Sequence, residues 1–434
     1  MKHETYEIPL KNGGRLVVIH VPGSPIFHLE THVNSGHRFA KKSQYELPHL
    51  LEHLALEGSK RFPDPRTIRF ELEKYGIYHN AFTSLDRNWY EFYGAKEYMT
   101  HIVDLAYEWL LEPTFTEEAI AQQKQVVENE LTQRDANVEQ RLGYAMYQAT
   151  KNGLVPSWKQ RIKSMSTISR QDILDYHATY YRPSNLTHMI TGDLPKSQVT
   201  VIQQQIEDKL AGMPSGKRQT MTPVIPTSPK AMTIAVDHPE KSAVQFDLSF
   251  VLPGFDAEFD KQHFTSLRIF QTIQAAGLYA RLFEKTRAAG LTYTIGMEIG
   301  ANQEFSFLDI YDKVKPENMQ PLLELVFAEM RAVAAGGFTD EELERAIGFR
   351  VGKMALRFQT ALNFTSWYED AYIYGMPLYS PDDVLRELQA VTRDSVVEAV
   401  RRFFTAGELQ RRLGVASAAK LDPAVEQLVR DFKI

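Results

Sequence analysis

The chain contains no cysteine. That absence excludes a disulfide framework, cysteine zinc fingers, iron–sulfur clusters and a thiol nucleophile. Any bound metal must therefore be held by histidines and carboxylates. No uninterrupted apolar run approaches the roughly 20 residues of a membrane span, so no membrane association is expected. Positive charge is not in excess: 49 Lys+Arg against 55 Asp+Glu give a formal net charge of −6, which argues against a broad nucleic-acid footprint. A secretory signal is also missing. Met1-Lys-His-Glu-Thr-Tyr-Glu7 opens polar and turns directly into strand-like sequence, and the expected location is cytoplasmic. What remains is ordinary globular material, 43% hydrophobic and 24% charged. At about 150 residues per domain the length accommodates three domains or two large ones, each able to bury a core without covalent staples.

Periodicity organises the chain. Tyr6–Leu10 and Arg15–His20 flank Asn12-Gly13-Gly14 and predict a hairpin. Ile26–Val33 alternates, with Phe27, Leu29, Thr31 and Val33 on one face and His28, Glu30 and His32 on the other. Helical patterns follow over residues 99–112, 116–150 and 169–180, then a strand over 186–191 and a helix over 196–211. Residues 212–230 carry Pro214, Pro223, Pro226 and Pro229 and read as a linker. Beyond it the first half recurs. Phe338-Thr-Asp-Glu-Glu-Leu lies 223 residues after Phe115-Thr-Glu-Glu-Ala-Ile, and Val391-Thr-Arg-Asp-Ser-Val lies 223 after Ile168-Ser-Arg-Gln-Asp-Ile. One shared offset in two segments argues for a tandem duplication: α+β domains at 1–211 and 231–434 joined by 212–230.

The chemistry is concentrated in His49-Leu-Leu-Glu52-His53, on a predicted helix from about Glu46 to Glu57 that Gly58 stops. Leu47, Leu50, Leu51 and Leu54 recur at i, i+3, i+4 and i+7 and form a buried stripe. His49, Glu52, His53 and Leu56 form a second stripe on the opposite side. Two imidazoles four residues apart on a helix can share one metal ion, and the Glu before the second His can reach a water on that ion. The alternative is a solvated polar face. A catalytic zinc needs a third ligand, and the helix beginning near Thr116 offers Glu128 and Glu130. Glu130 falls inside the arc of Ala119, Ile120, Val126, Val127 and Leu131, whereas Glu128 falls outside it; a carboxylate directed into a packed interface is costly unless paired or metal-bound, so Glu130 is the better candidate. His28 and His32 are also four apart. In a strand that spacing exceeds about 12 Å, and they read as polar-face residues rather than ligands. The Asn-x-Thr sequons at Asn185 and Asn363 carry little weight without a secretion signal.

Taken together, these residues resemble the pitrilysin/insulinase family of inverted zincins, which includes mitochondrial processing peptidases and many bacterial peptidases of this length. His-x-x-Glu-His matches at His49, Glu52 and His53, and Glu130 lies 77 residues beyond His53, the spacing of the family's third ligand. Gly76-Ile-Tyr-His-Asn80-Ala-Phe-Thr83 resembles the strand that holds substrate backbone, and Arg281 to Tyr293 resembles a second-domain segment whose Arg and Tyr bind substrate and transition state. Tyr293 matches that Tyr. The Arg position, seven residues earlier, is Thr286, with Arg287 one residue closer. Two further departures are Glu46-Leu-Pro48 in place of Gly-x-Ala, and Gln123 in place of an acidic residue seven before the third ligand. Adding 223 to the three ligand positions reaches Thr272, Ala276 and Lys353, so the second half keeps no ligand.

The resemblance implies two tandem α+β domains, each a mostly antiparallel sheet packed with helices, together forming half of a clamshell chamber. It implies Zn2+ held by His49, His53 and Glu130, with Glu52 as general base. It also implies Tyr293 as stabiliser of the oxyanion or of substrate position, with Asn80 and Arg287 binding substrate. The expected substrates are peptides or unstructured segments. The expected assembly is a homodimer, or a heterodimer with a metal-free related chain; a non-catalytic subunit is the remoter alternative.

Overall fold

The computed structural model describes residues 2–227, 229–253 and 261–434. In chain order the first half forms β1 (Glu4–Pro9), β2 (Arg15–His20), β3 (Ile26–Val33), α1 (Leu47–Ala55), α2 (Pro65–Lys74), β4 (Tyr78–Thr83), β5 (Asn88–Ala95), α3 (Met99–Leu111) and α4 (Glu117–Ala136). It continues with α5 (Val138–Thr150), α6 (Trp158–Met165), α7 (Arg170–Tyr180), β6 (Leu186–Gly192) and α8 (Lys196–Lys209). The second half forms β7 (Ala231–Asp237), β8 (Val244–Pro253), α9 (Lys261–Ala275), α10 (Arg281–Ala288), β9 (Gly296–Ala301), β10 (Phe305–Val314), α11 (Met319–Ala334) and α12 (Asp340–Arg357). After these come α13 (Leu362–Tyr374), α14 (Pro381–Gln389), α15 (Arg393–Thr405), β11 (Gln410–Ser417) and α16 (Pro423–Asp431).

The hairpin, the alternating third strand and the helices of the sequence reading are present. The predicted 116–150 helix is two helices. Asn137 adopts an extended conformation (φ −79°, ψ 120°) and its side chain accepts from the Gln140 amide, ending α4 and capping α5. A short polar side chain competing for backbone hydrogen bonds overrides the continuous helical pattern.

The chain is α+β, with two sheets. The first has strand order β1-β2-β6-β3-β5-β4, antiparallel except for the parallel pair β2–β6. The second has order β7-β11-β8-β10-β9, antiparallel except for β7–β11. Apart from β1 the second sheet repeats the first strand for strand, which carries the duplication beyond sequence similarity. α4 and α12 start 223 residues apart, as do α7 and α15. Upstream elements are closer: α1 and α9 begin at Leu47 and Lys261, and α2 and α10 at Pro65 and Arg281. Thr272 and Ala276 are therefore not strict counterparts of His49 and His53. α9 has no counterpart of the His49–His53 pair in any register, because it contains one His (His263) and no carboxylate.

Two compact units form, and their boundaries differ from the expected contiguous halves. Unit 1 contains the chain up to Gln133, Ser157–Thr222 and Arg357–Leu378; unit 2 contains Arg134–Pro156, Pro223–Leu356 and Tyr379–Ile434. α5 thus belongs with the second sheet and α13 with the first. Burial decides this: Leu142 and Met146 of α5 pack on β11 at Gly414, where a Cβ would stand 2.7 Å from Met146 Sδ. Phe364, Thr365 and Tyr368 of α13 are buried in unit 1, where Arg15 Nη2 donates to the Tyr372 carbonyl at 2.9 Å. The expected 212–230 linker, whose Ser228 lies outside the described residues, is likewise divided. Its first part is strapped to unit 1 by Ser184 N to Ser215 O (2.9 Å) and Gln219 N to Asn185 Oδ1 (2.9 Å). Its later part joins unit 2 through Val224 N to Glu304 Oε1 (2.8 Å).

Candidate metal centre

α1 is short and held by one face. Leu47, Leu50, Leu51 and Leu54 are buried, Pro48 sits in the first turn where its missing N–H is not needed, and Gly58 (φ +120°) takes the chain away beyond the C-terminus. The opposite face presents His49 and His53, their rings 5.0 Å apart and nearly perpendicular. α4 presents Gln123, Val127 and Glu130 on one side, as spacings of four and three dictate. Glu130 Oε2 lies 3.5 Å from His49 Nε2 and 3.5 Å from His53 Nε2, and one atom of each residue falls within 4.8 Å of the others. Glu128 is not part of this cluster.

The second nitrogen of each ring is also occupied. His49 Nδ1 meets Glu46 Oε2 at 3.0 Å, and His53 Nδ1 meets Gln123 Oε1 at 3.2 Å. With Nδ1 donating to these oxygens, each Nε2 lone pair faces the common point, the arrangement by which metal-binding histidines are oriented. Glu46 is fully buried (0% exposed) and is gripped by Arg161, with Nε at 2.5 Å from Oε1 and Nη2 at 3.2 Å from Oε2. Burial pushes the Glu46 carboxyl up, but the Arg161 guanidinium and the His49 bond outweigh it and hold the group well below the usual carboxylate range. Burial lowers the His49 pKa, yet Glu130 and Glu46 together raise it to about 9. The carboxylates around His49 thus favour a positive charge at this point.

The sequence alone does not single out Glu46, which stands in it only as a departure from Gly-x-Ala. The available signal was a carboxylate three residues before the first His, one helical turn away. Gln123, which replaces the acidic residue seven before the third ligand, is the partner of His53. In this chain a carboxylate backs the first His and an amide the second.

Glu52, between the two histidines, takes a hydrogen bond from Thr83 Oγ1 at 2.5 Å. Thr83 is itself held by Asn88 Nδ2 at 2.7 Å, and Asn88 also donates to the Pro48 carbonyl at 3.0 Å. The β4–β5 ladder therefore fixes the carboxylate against α1. Asn80 also lies on β4, the edge of the sheet. Strand alternation sends it to the face opposite Thr83, where it donates to Tyr78 Oη (3.3 Å) and accepts from the Ala81 amide (2.9 Å). Asn80 is thus on the same strand as the partner of Glu52 but not in one cluster with it. In unit 2, Tyr293 is 73% exposed and Arg287 stacks over its ring at 4.7 Å. Thr286 is buried, donating to the Leu282 carbonyl at 2.7 Å. Of the two positions, Arg287 is the one that meets Tyr293.

A sequence model described as "Insulinase (Peptidase family M16)" matches residues 15–155, and one described as "Peptidase M16 inactive domain" matches residues 167–348. The chain belongs to the pitrilysin/insulinase family. A protein named as an uncharacterized zinc protease of Mycobacterium leprae is 23% identical over 82% of this chain and 80% of its own length. A Helicobacter pylori relative named as a non-peptidase homolog is 20% identical over 87% of this chain and 88% of its own. The periplasmic protease PqqL of Escherichia coli shares the fold, with a TM-score of 0.79 and 17% identity, covering all of this chain and 50% of that one. Two imidazole nitrogens and a carboxylate converging with both Nδ1 atoms anchored are a donor set that fits zinc. Among the described residues no helix is long and apolar enough to cross a membrane.

Proposed function

We propose that this chain is a zinc metalloendopeptidase acting on peptides or unstructured segments. The observation that carries the reading is the convergence of His49, His53 and Glu130, with Glu52 beside them on the same helix face. His49 Nε2, His53 Nε2 and a Glu130 oxygen would hold the ion. When bound, zinc acidifies a water and polarises the scissile carbonyl. Glu52 takes a proton from the water as the water oxygen bonds to the carbonyl carbon, and returns it to the amine as the C–N bond breaks. Thr83 keeps that carboxylate in one orientation. β4, an edge strand bearing Asn80, suits an extended peptide adding to the sheet through backbone hydrogen bonds. Tyr293, exposed and braced by Arg287, is assigned to the substrate or the oxyanion, with Arg287 binding substrate.

Glu52→Gln should keep the metal and abolish chelator-sensitive peptide hydrolysis; turnover close to wild type in that variant refutes the assignment. The length match to half of PqqL supports two chains per assembly. Light scattering with an activity assay on the purified chain tests this. An active homodimer supports self-assembly, and a zinc-loaded but inactive one points to a catalytic subunit that requires a second, related chain.

A further inference from the structure

The face of β3 that carries His28, Glu30 and His32 is not a solvated strand face. α13 covers it, and His28 and His32 are each 1% exposed. Strand pairing sets Glu91 of β5 opposite Glu30. Three carboxylates (Glu30, Glu91, Glu369), two imidazoles and one guanidinium (Arg87) thus gather on one side of the first sheet. Burying charge there is costly unless each group finds a counter-charge.

The two ends of this row are served differently. At one end His32 Nε2 bonds Glu30 Oε2 at 3.1 Å, and Arg87 pairs with Glu369 while stacking between the Trp89 and Tyr374 rings, 4.8 Å from each. The protein supplies its own cation at that end. At the other end His28 Nε2 stands 3.2 Å from Glu91 Oε1 and 3.6 Å from Glu30 Oε1, yet hydrogen-bonds to neither. Its Nδ1 is anchored by Thr365 Oγ1 at 2.9 Å, a hydroxyl also bonded to Thr191 Oγ1 at 2.7 Å. One ligand atom from each of His28, Glu30 and Glu91 falls within 4.8 Å of the others. Ligands about 2.0–2.1 Å from a tetrahedral ion stand roughly 3.3 Å from each other. Like His49 and His53, His28 has its Nδ1 tied back by a neighbour and its Nε2 directed at carboxylate oxygens.

We propose that His28, Glu30 and Glu91 form a second divalent-cation site, separate from the His49–His53–Glu130 centre. A nitrogen donor with two carboxylates suits a borderline ion such as zinc better than magnesium or calcium. Burial under α13 suits a structural ion, one that ties β3 to β5 beside the edge strand bearing Asn80. Glu91, 19% exposed at its side chain, marks the rim by which the ion enters.

The experiment is elemental analysis of the full chain after chelation, zinc reconstitution and desalting. Two zinc ions per chain are expected, one in His53→Ala, one in Glu91→Gln, and none in the double variant. In His53→Ala, zinc should still raise the melting temperature, and adding Glu91→Gln should abolish that rise. Cobalt absorption of His53→Ala gives a second measurement should Glu91→Gln variants fail to fold. A folded wild type binding one zinc, with His53→Ala binding none and showing no thermal shift, overturns the proposal. So does a Glu91→Gln protein that retains two zinc ions. Loss of zinc only on Glu91→Gln, and not on His53→Ala, would instead refute the first centre and leave this one standing.

Discussion

Glu46→Gln separates what Glu46 does for the fold from what it does for the metal. Gln keeps the shape and an acceptor oxygen, so the His49 Nδ1 bond can persist as the Gln123 bond to His53 does. What disappears is a buried negative charge between Arg161 and His49. Removing one partner of a buried ion pair costs about 3–5 kcal/mol, because the other charge is left uncompensated. A domain stable by about 5–15 kcal/mol survives that loss, visibly weakened. An outer carboxylate is worth about 10–100-fold in metal affinity, and with the hydrogen bond retained the lower end applies, about tenfold or ~1.4 kcal/mol. Denaturant melts read the first quantity, and competition with a chromophoric chelator reads the second. Adding Arg161→Met removes the stranded guanidinium and should restore most of the stability, while zinc affinity stays low. If the double variant recovers both together, or if Glu46→Gln binds zinc like wild type, Glu46 acts through the fold alone and the positioning argument fails. The pH dependence has a definite sign. The folded-state pKa of Glu46 is depressed, so its stabilisation is complete above the ordinary carboxylate range and is lost only as the pH falls through strongly acid values.

Other expectations follow from separate features. Glu130→Ala should lose zinc by elemental analysis whereas Glu128→Ala should not; full occupancy after Glu130→Ala would transfer the ligand role. Gly414→Val should drive a side chain into Met146 and Leu142 and destabilise unit 2 by about 1–3 kcal/mol in thermal melts, with Met146→Ala relieving part of the cost; an unchanged melt would remove α5 from β11. Asp309 and Asp247 on the second sheet are both raised, by burial first and then by like-charge neighbours, Asp247 for Asp309 and Glu298 for Asp247. Such groups hold protons in the folded state that the unfolded chain releases, so they oppose folding increasingly as the pH rises from about 4 toward neutrality. Asp309→Asn should therefore stabilise at pH 8 and have little effect near pH 4, as read by melts across that range; stabilisation of equal size at both would contradict the burial argument.

The limits of sequence reading at this site follow from the range of each interaction. The His49–His53 pair is local, fixed by one turn of helix, and Glu130 follows from the helical period of α4. Both were therefore legible, as were the repeat and the alternation of β3. Alternation says which residues share a face but not what covers that face. The partners of His28 and Arg87 are Thr365 and Glu369 of α13, 337 and 282 residues along the chain. The buried His–Glu row therefore reads in the sequence only as the polar face of a strand. Glu46 was illegible for the same reason, since its guanidinium lies 115 residues away on α6. α5 and α13 defeat a contiguous division because their apolar stripes are satisfied by the sheet of the other half's sequence. A proline-rich segment marks where the backbone crosses between units, whereas burial of Met146 and Tyr368 decides which unit a helix stabilises. In a duplicated fold that trades one helix each way, deleting residues 231–434 would strip the first sheet of α13 and expose His28, Glu30 and His32 to water. The N-terminal half on its own is therefore expected to be unstable, and a truncated chain that melted like the full-length protein would contradict that coupling.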